Sequence, residues 1–515
     1  MNKLLKKLLL FLLPLLAKYF FLLIFIDLDL IEWRDILEDF LFFVIVASIA
    51  FRMVSRYKIL LNILCFFYVF YIVLETTSYI AVSSNFTSSY MFLLIESNQQ
   101  ELSEFMSSYI NFKIIGLLLV LIGFFFILKK YVFSVKYKSN YFLGLINPLL
   151  IIVILKLTGL IEQNAYHNIV RGVYGYYDLQ NSVKLDSNIL TSDLNITSNN
   201  EVLVFVLGES TTIRHMEIYG YNKPTTPFLS KIKDSLLVYN NVISTDVLTL
   251  KCVPKILTSL SSSTDKQDII NIVQLFNSAG YKTHWLSNQR AISYHDNAIS
   301  KIASFSHSFK FYNHLIDKHT MVLDEVLLPD YNEILSMPGK KVVFVRLMGT
   351  HFDYKNRYPL EFNKFVNSSG SSLHEKTIAE YDNAVLYNDF ILHELIEGLR
   401  KINTKSALIY LSDHGENVYH EGTDFFGRNE ERLTKTMFEI PFLVWTSNTF
   451  EFPKDFKYDA NRKFMSDHTF ESITHLFGVS HKSITNGNSI FSKEFNQTER
   501  KVVDYSINFD TYFAN

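Results

Sequence analysis

Five apolar runs fill the first third of the 515-residue chain: Leu8–Ile26, Ile36–Met53, Ile59–Val82, Ile114–Leu128 and Tyr141–Ile161. Each is close to the ~20 residues that a helix needs to cross a bilayer. The segments between them alternate in charge. Lys3, Lys6 and Lys7 precede the first run, and an acidic stretch with Asp27, Asp29, Glu32, Asp35, Glu38 and Asp39 follows it. Arg52, Arg56 and Lys58 come next. A stretch without Lys or Arg then leads to Lys129, Lys130, Lys136 and Lys138. Basic loops stay in the cytoplasm. The pattern predicts five transmembrane helices, a cytoplasmic N-terminus, and everything beyond the fifth helix outside. A cleaved signal peptide fits less well, because no small-residue site follows the first run. Lys18 interrupts that run, so it either snorkels or faces a neighbouring helix. The Ser83–Ser108 loop contains Ile95–Met106, which reads as a short amphipathic surface helix.

The remainder is ordinary globular sequence. Residues 1–165 form the expected membrane domain, 166–200 a polar bridge, and 201–515 a catalytic domain. Lys+Arg is 49 and Asp+Glu is 51, which gives no basic footprint for nucleic acid. The two cysteines, Cys65 and Cys252, lie too far apart in kind and position to form a disulfide framework. Short apolar runs at Val202–Leu207, Lys282–Leu286, Lys341–Leu347, Ala407–Leu411 and Ile440–Trp445 alternate with amphipathic stretches at Lys266–Ala279, Ala379–Ile402 and Asp467–Phe477. This alternation predicts an α/β domain with a mainly parallel sheet.

Ligands bind such sheets beyond the carboxyl ends of the strands. Val202–Leu207 runs into Gly208-Glu209-Ser210-Thr211, and Ala407–Leu411 runs into Ser412-Asp413-His414-Gly415. Glu209, Asp413 and His414 are therefore expected on one rim, and two carboxylates with an imidazole suit zinc. His351, after Val342–Leu347, is the next candidate. Ser466-Asp467-His468 repeats the tripeptide ahead of a helical stretch, where Asp467 reads as a helix cap instead. A hydroxyl nucleophile beside the metal completes such a site, but residue type alone does not choose among the many Ser and Thr.

Gly208–Tyr221, followed by Thr225-Thr226-Pro227, strongly resembles the phosphoethanolamine transferases of Gram-negative inner membranes. That family includes lipid A-modifying and colistin-resistance enzymes, and relatives acting on core sugars or glycans. The resemblance covers nearly the whole chain. It implies five membrane helices and a sulfatase-like, alkaline-phosphatase-type domain in the periplasm. Val242–Thr249 with Val253-Pro254 looks like the family's nucleophile segment, which makes Thr249 the attacking residue. Thr249 then joins Glu209, Asp413 and His414 around zinc, with room for a second ion. His351 matches a catalytic substrate-site histidine, Asn288 in Trp285–Gln289 a substrate contact, and Glu101 an acidic lipid-facing loop residue. Tyr381-Asp382-Asn383 matches a family helix. The implied reaction moves phosphoethanolamine from phosphatidylethanolamine through a covalent phosphothreonine to an acceptor. That acceptor is lipid A, a lipopolysaccharide core sugar, a glycan or a protein.

The chain also departs from the family pattern. Thr245 and Lys255 stand where the lipid A branch has disulfide cysteines, so the chain looks closer to the cysteine-poor relatives. Phe426-Gly427 replaces a second substrate histidine, with His420 nearby at a different spacing. Arg346 stands where the lipid A branch carries a histidine. Both His420 and Arg346 are candidate substrate contacts. Three competing readings remain at this point. One is a phosphoglycerol transferase of the lipoteichoic-acid-synthase type. Another is a sulfatase, whose Cys-x-Pro signature fails here because Ile256 stands where it needs Arg. The last is a non-catalytic membrane scaffold with a relic domain.

Overall fold

The computed structural model describes the chain apart from residues 1–2, 27–30, 55–56, 83, 98–101, 103–111, 129, 131–139, 183–193, 262–268, 290–297, 314–321, 366–371, 482–483, 485 and 515. It divides into two compact units, Met1–Asp178 and Leu179–Asn515. The first is helical: α1 (Lys3–Phe25), α2 (Trp33–Arg52), α3 (Lys58–Val82), α4 (Ser88–Glu96), α5 (Phe112–Ile127), α6 (Tyr141–Leu157) and α7 (Ala165–Ser182). Among the described residues, Lys6–Phe25 and Lys58–Ala81 are long and apolar enough to cross a membrane. Ile114–Ile127 and Tyr141–Leu157 are apolar but shorter.

Helix α2 starts at Trp33 and takes in Asp35, Glu38 and Asp39, which therefore lie on the helix and not in an acidic loop. All three are buried, which such carboxylates tolerate only with partners. Lys18 supplies one: its Nζ donates to Asp39 Oδ2 at 2.6 Å. Tyr71 donates to Glu38 at 2.6 Å and to Asp39 at 2.8 Å, and Asn164 donates to Glu38 at 2.8 Å. Lys18 thus faces a neighbouring helix and does not snorkel. Part of the expected Ile95–Met106 surface helix, and Glu101 with it, lie outside the described residues; the helix seen there, α4, ends at Glu96.

The second unit is built on one sheet. Its strands are β1 (Val202–Gly208), β2 (Leu236–Tyr239), β3 (Lys282–Ser287), β4 (Ser308–Phe311), β5 (Lys341–Arg346), β6 (Ser406–Ser412) and β7 (Phe442–Thr446). They lie in the order β2-β7-β6-β1-β5-β3-β4. β7 runs antiparallel to both β6 and β2, while β6, β1, β5, β3 and β4 pair in parallel. The central strands are apolar on both faces because both are covered. Val204, Val206, Val343 and Val345 pack with Tyr381, Val385, Leu392 and Leu395 of the long helix Leu373–Ile402. That helix starts at a capping box, with Ser372 and Glu375 each satisfying the other's backbone N–H. The predicted Lys266–Ala279 helix is seen as Ile272–Ser278, its first residues lying outside the described ones.

Asp467 is the sequence reading that the fold corrects. It sits in a 3-10 turn, Ser466–His468, and provides no cap to the helix Thr469–Leu476. Its Oδ2 instead accepts from the Tyr505 hydroxyl at 3.3 Å. A partner 38 residues away is invisible to local pattern reading.

Candidate active site

Strand register assembles the site. In β1 and β6, Gly208 lies opposite Ser412, and in β1 and β5, Leu207 lies opposite Arg346. Glu209, Asp413-His414 and the segment from Leu347 to His351 therefore emerge along one edge. The chain must turn sharply there. Ser210 takes a left-handed φ of 58°, a strained conformation for a residue with a Cβ. It is pinned on every side: its N–H donates to Asp413 Oδ1 at 3.1 Å, its hydroxyl to Glu209 Oε1 at 3.0 Å, and its carbonyl accepts from Tyr381 at 2.8 Å. Gly415 admits no side chain, since a Cβ there would lie 2.1 Å from the Thr436 carbonyl oxygen.

Glu209, Asp413 and His414 are fully buried and offer ligand atoms that all lie within 4.8 Å of one another. Asp413 Oδ1 accepts the N–H groups of Ser210 and His414. Its Oδ2 has no hydrogen-bond partner among the described residues. His414 Nδ1 lies 2.7 Å from the Gly415 carbonyl oxygen, an acceptor only, so Nδ1 carries the proton and Nε2 the lone pair. A free carboxylate oxygen, an imidazole nitrogen presenting its lone pair and a second carboxylate are the donor set that tetrahedral zinc takes. The residues present fit a metal ion.

Thr249 completes the cluster. It opens the helix Thr249–Leu257, and its Oγ1 lies 3.1 and 3.2 Å from the Glu209 carboxylate oxygens and 3.3 Å from His414 Nε2. Two further residues, which sequence reasoning missed, reach the same atoms. Gln289 Nε2 donates to Glu209 Oε2 at 2.8 Å. Arg428 Nη1 contacts His414 Nε2 and lies 3.4 Å from Glu209 Oε1. Burial opposes ionisation of Glu209, but its contacts with His414 and the Arg428 guanidinium outweigh it and hold this carboxylate well below its usual range. Burial, reinforced by the Glu209 charge, pushes Asp413 up to about 7. Burial drives His351 down to about 3, so its imidazole is neutral at neutral pH.

The Sulfatase family model matches residues 201–479. Phosphoethanolamine transferase EptC of Escherichia coli K12 is 30% identical over 467 residues, spanning 82% of this chain and 80% of its own. The chain belongs to the phosphoethanolamine transferase family. Its members are transferases, so the scaffold reading is set aside. The zinc complex of the C-terminal periplasmic domain of EcEptC superposes with a TM-score of 0.59 at 30% identity, covering 62% of this chain and 96% of that one. The integral membrane protein lipooligosaccharide phosphoethanolamine transferase A from Neisseria meningitidis covers 88% of this chain and 90% of its own. Its TM-score is 0.67 at 20% identity, a likeness of fold.

The other residues singled out from the sequence fall in several places. Asn288 adjoins the cluster, but its amide donates to the Val322 carbonyl and to Asp324 Oδ1, and its neighbour Gln289 makes the reach to Glu209. Arg346 ends β5 and is buried. His351 is half-buried, and its Nδ1 has no hydrogen-bond partner among the described residues. His420 faces a separate group: its Nε2 lies 2.8 Å from Nε2 of His215, whose Nδ1 lies 2.6 Å from Asp382. Tyr381, Asp382 and Asn383 all serve as braces, with Asn383 accepting the N–H groups of Lys364 and Phe365. At Thr245 and Lys255, where the sequence departs from the resemblance, the chain has an ionic clasp. Lys255 donates to Asp246 at 2.7 Å and covers the Tyr505 ring, while the Thr245 carbonyl accepts the Val503 N–H at 2.9 Å. Phe426 stacks on Phe352 with ring centroids 5.8 Å apart.

Proposed function

We propose that this protein transfers phosphoethanolamine from phosphatidylethanolamine to a cell-envelope acceptor, with Thr249 as the nucleophile. The observation that carries this reading is the Thr249 hydroxyl, 3.1 Å from Glu209 and 3.3 Å from His414 within a buried ligand cluster. Glu209, Asp413 and His414, with Thr249, would hold zinc, which supplies Lewis-acid chemistry and eases deprotonation of a hydroxyl. Whether a second ion joins is part of the same proposal.

In the first step Thr249 Oγ bonds to phosphorus as the bond from phosphorus to the glycerol oxygen breaks. The proton that Thr249 gives up ends on the departing diacylglycerol. His351, whose imidazole is neutral, would pass it. In the second step an acceptor oxygen attacks phosphothreonine, the bond from phosphorus to Oγ breaks, and Thr249 regains a proton. The acceptor is lipid A, another lipopolysaccharide group, a glycan or a protein. Asn288, Arg346, His420 and Glu101 are the proposed substrate contacts. A lipid donor accounts for the apolar N-terminal unit. In this reading residues 1–165 cross the inner membrane five times from a cytoplasmic N-terminus, 166–200 form a bridge, and 201–515 act in the periplasm.

The test is donor cleavage by the full chain in detergent, with headgroup-labelled phosphatidylethanolamine and phosphatidylglycerol side by side. Diacylglycerol is expected from phosphatidylethanolamine alone, and none from Thr249→Ala. Cleavage of phosphatidylglycerol instead would move the enzyme to phosphoglycerol transfer, and an active Thr249→Ala would refute the nucleophile.

A further inference from the structure

We infer that Arg428 is a cation the active site carries for itself: it competes with the metal for the ligand cluster and binds the non-bridging oxygens of the transferring phosphoryl group. The inference rests on the reading of Thr249 as nucleophile. Its first support is position. The Arg428 side chain is 9% exposed, and its Nη1 contacts His414 Nε2 while lying 3.4 Å from Glu209 Oε1 and 3.5 Å from Thr249 Oγ1. One guanidinium nitrogen thus reaches three atoms of the cluster that would hold zinc.

The second support is charge. Glu209, Asp413 and Glu416 are three buried carboxylates on one rim. A divalent ion leaves one negative charge uncancelled, and such a site would repel a phosphodiester anion. Arg428 cancels it. The third is anchorage. Glu416 Oε1 accepts from Tyr354 at 2.8 Å, whereas Oε2 has no hydrogen-bond partner among the described residues and lies 3.7 Å from Arg428 Nε. Glu416 therefore offers an acceptor to which the guanidinium can turn when a metal takes the ligand atoms. The fork then stays beside Thr249, and a planar fork matches two phosphoryl oxygens where an ammonium matches one.

Competition and catalysis predict opposite signs for one substitution. In the full chain in detergent, Arg428→Gln should bind zinc about tenfold more tightly in a chelator competition, because a rival cation is gone. It should also cleave labelled phosphatidylethanolamine about 100-fold more slowly in kcat, the usual cost of one lost charge-stabilising donor. Arg428→Lys keeps the charge without the fork, so its zinc affinity should match the parent while kcat falls about tenfold. Looser zinc together with slower cleavage in Arg428→Gln would mark a merely structural residue and overturn the inference. Parent-like cleavage would reduce Arg428 to a counter-ion and overturn it too. If Arg428→Gln does not fold, Arg428→Lys decides, and a parent-like kcat there refutes the fork. An active Thr249→Ala control would sink the nucleophile reading separately, since the zinc affinities are read without turnover.

Discussion

Ser-Asp-His occurs twice in the second unit, at Ser412-Asp413-His414 and at Ser466-Asp467-His468, and both copies are buried. The first follows a seven-residue strand at the centre of the sheet and emerges beside Glu209. Its polar groups are engaged one by one. Ser412 Oγ accepts the Thr211 N–H and donates to the His414 carbonyl, Asp413 Oδ1 takes two backbone N–H groups, and His414 Nδ1 donates to Gly415. Those bonds aim Asp413 Oδ2 and His414 Nε2 at one point. The second copy follows the two-residue strand Phe464–Met465 and closes a 3-10 turn. Among the described residues its Ser466 Oγ and His468 Nδ1 have no hydrogen-bond partner, and Asp467 Oδ2 accepts from a tyrosine hydroxyl. The same three side chains form part of a site in one place and packing in the other. What differs is the second strand end that meets them.

The sharpest way to break that comparison is to remove one carboxylate charge from each copy. Asp413→Asn should cost far more than the ~10–100-fold in metal affinity typical of a residue that only orients a ligand, and donor cleavage should vanish with it. Metal content by elemental analysis and diacylglycerol release would check both. Asp467→Asn should leave zinc content and cleavage within about twofold of the parent. It should lower Tm by only a few degrees, the effect of about 1 kcal/mol from one hydrogen bond in a domain of this size. If Asp467→Asn lost zinc, the two copies would have to share a function.

Gln289→Ala lies between these in effect. It removes one donor from Glu209 without touching the ligand atoms, so zinc should bind about tenfold more weakly. Because Thr249 stays in place, most of the cleavage rate should return at saturating zinc. A rate that stayed down at saturating zinc would place Gln289 on the substrate instead.

Glu209, Asp413 and His414 were legible because each follows a strand apolar on both faces, and the parallel-sheet rule says where such strands end. The helices of the first unit were legible for a similar reason, since long apolar runs have few other uses. Strand β4, Ser308–Phe311, was not: it is an edge strand with exposed Ser308, Phe309 and Lys310 and carries no buried pattern. Nor was the reversed direction of β7, because an apolar strand reads the same either way. Thr249 stood out only through family resemblance, one hydroxyl among many. Arg428 carries no local signal at all, and Gln289 closes the Trp285–Gln289 segment in which Asn288 was the expected contact. Their meaning appears when chain segments 80 and 219 residues from Glu209 fold back onto it.

The smallest effect concerns the surroundings of the second copy. Glu471, three residues after His468, is buried, and among the described residues its Oε2 lacks a hydrogen-bond partner. Burial pushes its carboxyl up to about 7, with His468 opposing and Asp467 adding to the rise. The folded protein therefore holds a proton here that the unfolded chain gives up near its ordinary value of 4.5. Stability from this group is complete below pH ~4.5 and is lost as pH rises through about 7. Glu471→Gln keeps a neutral group of the same shape at every pH. The Tm difference, variant minus parent, should accordingly be near zero at about pH 5 and positive at about pH 8. Thermal melts at the two pH values would show it. A difference independent of pH would mean that Glu471 stays ionised, and that a buried carboxylate beside Ser466-Asp467-His468 has found a cation, as Glu209 has beside the other copy.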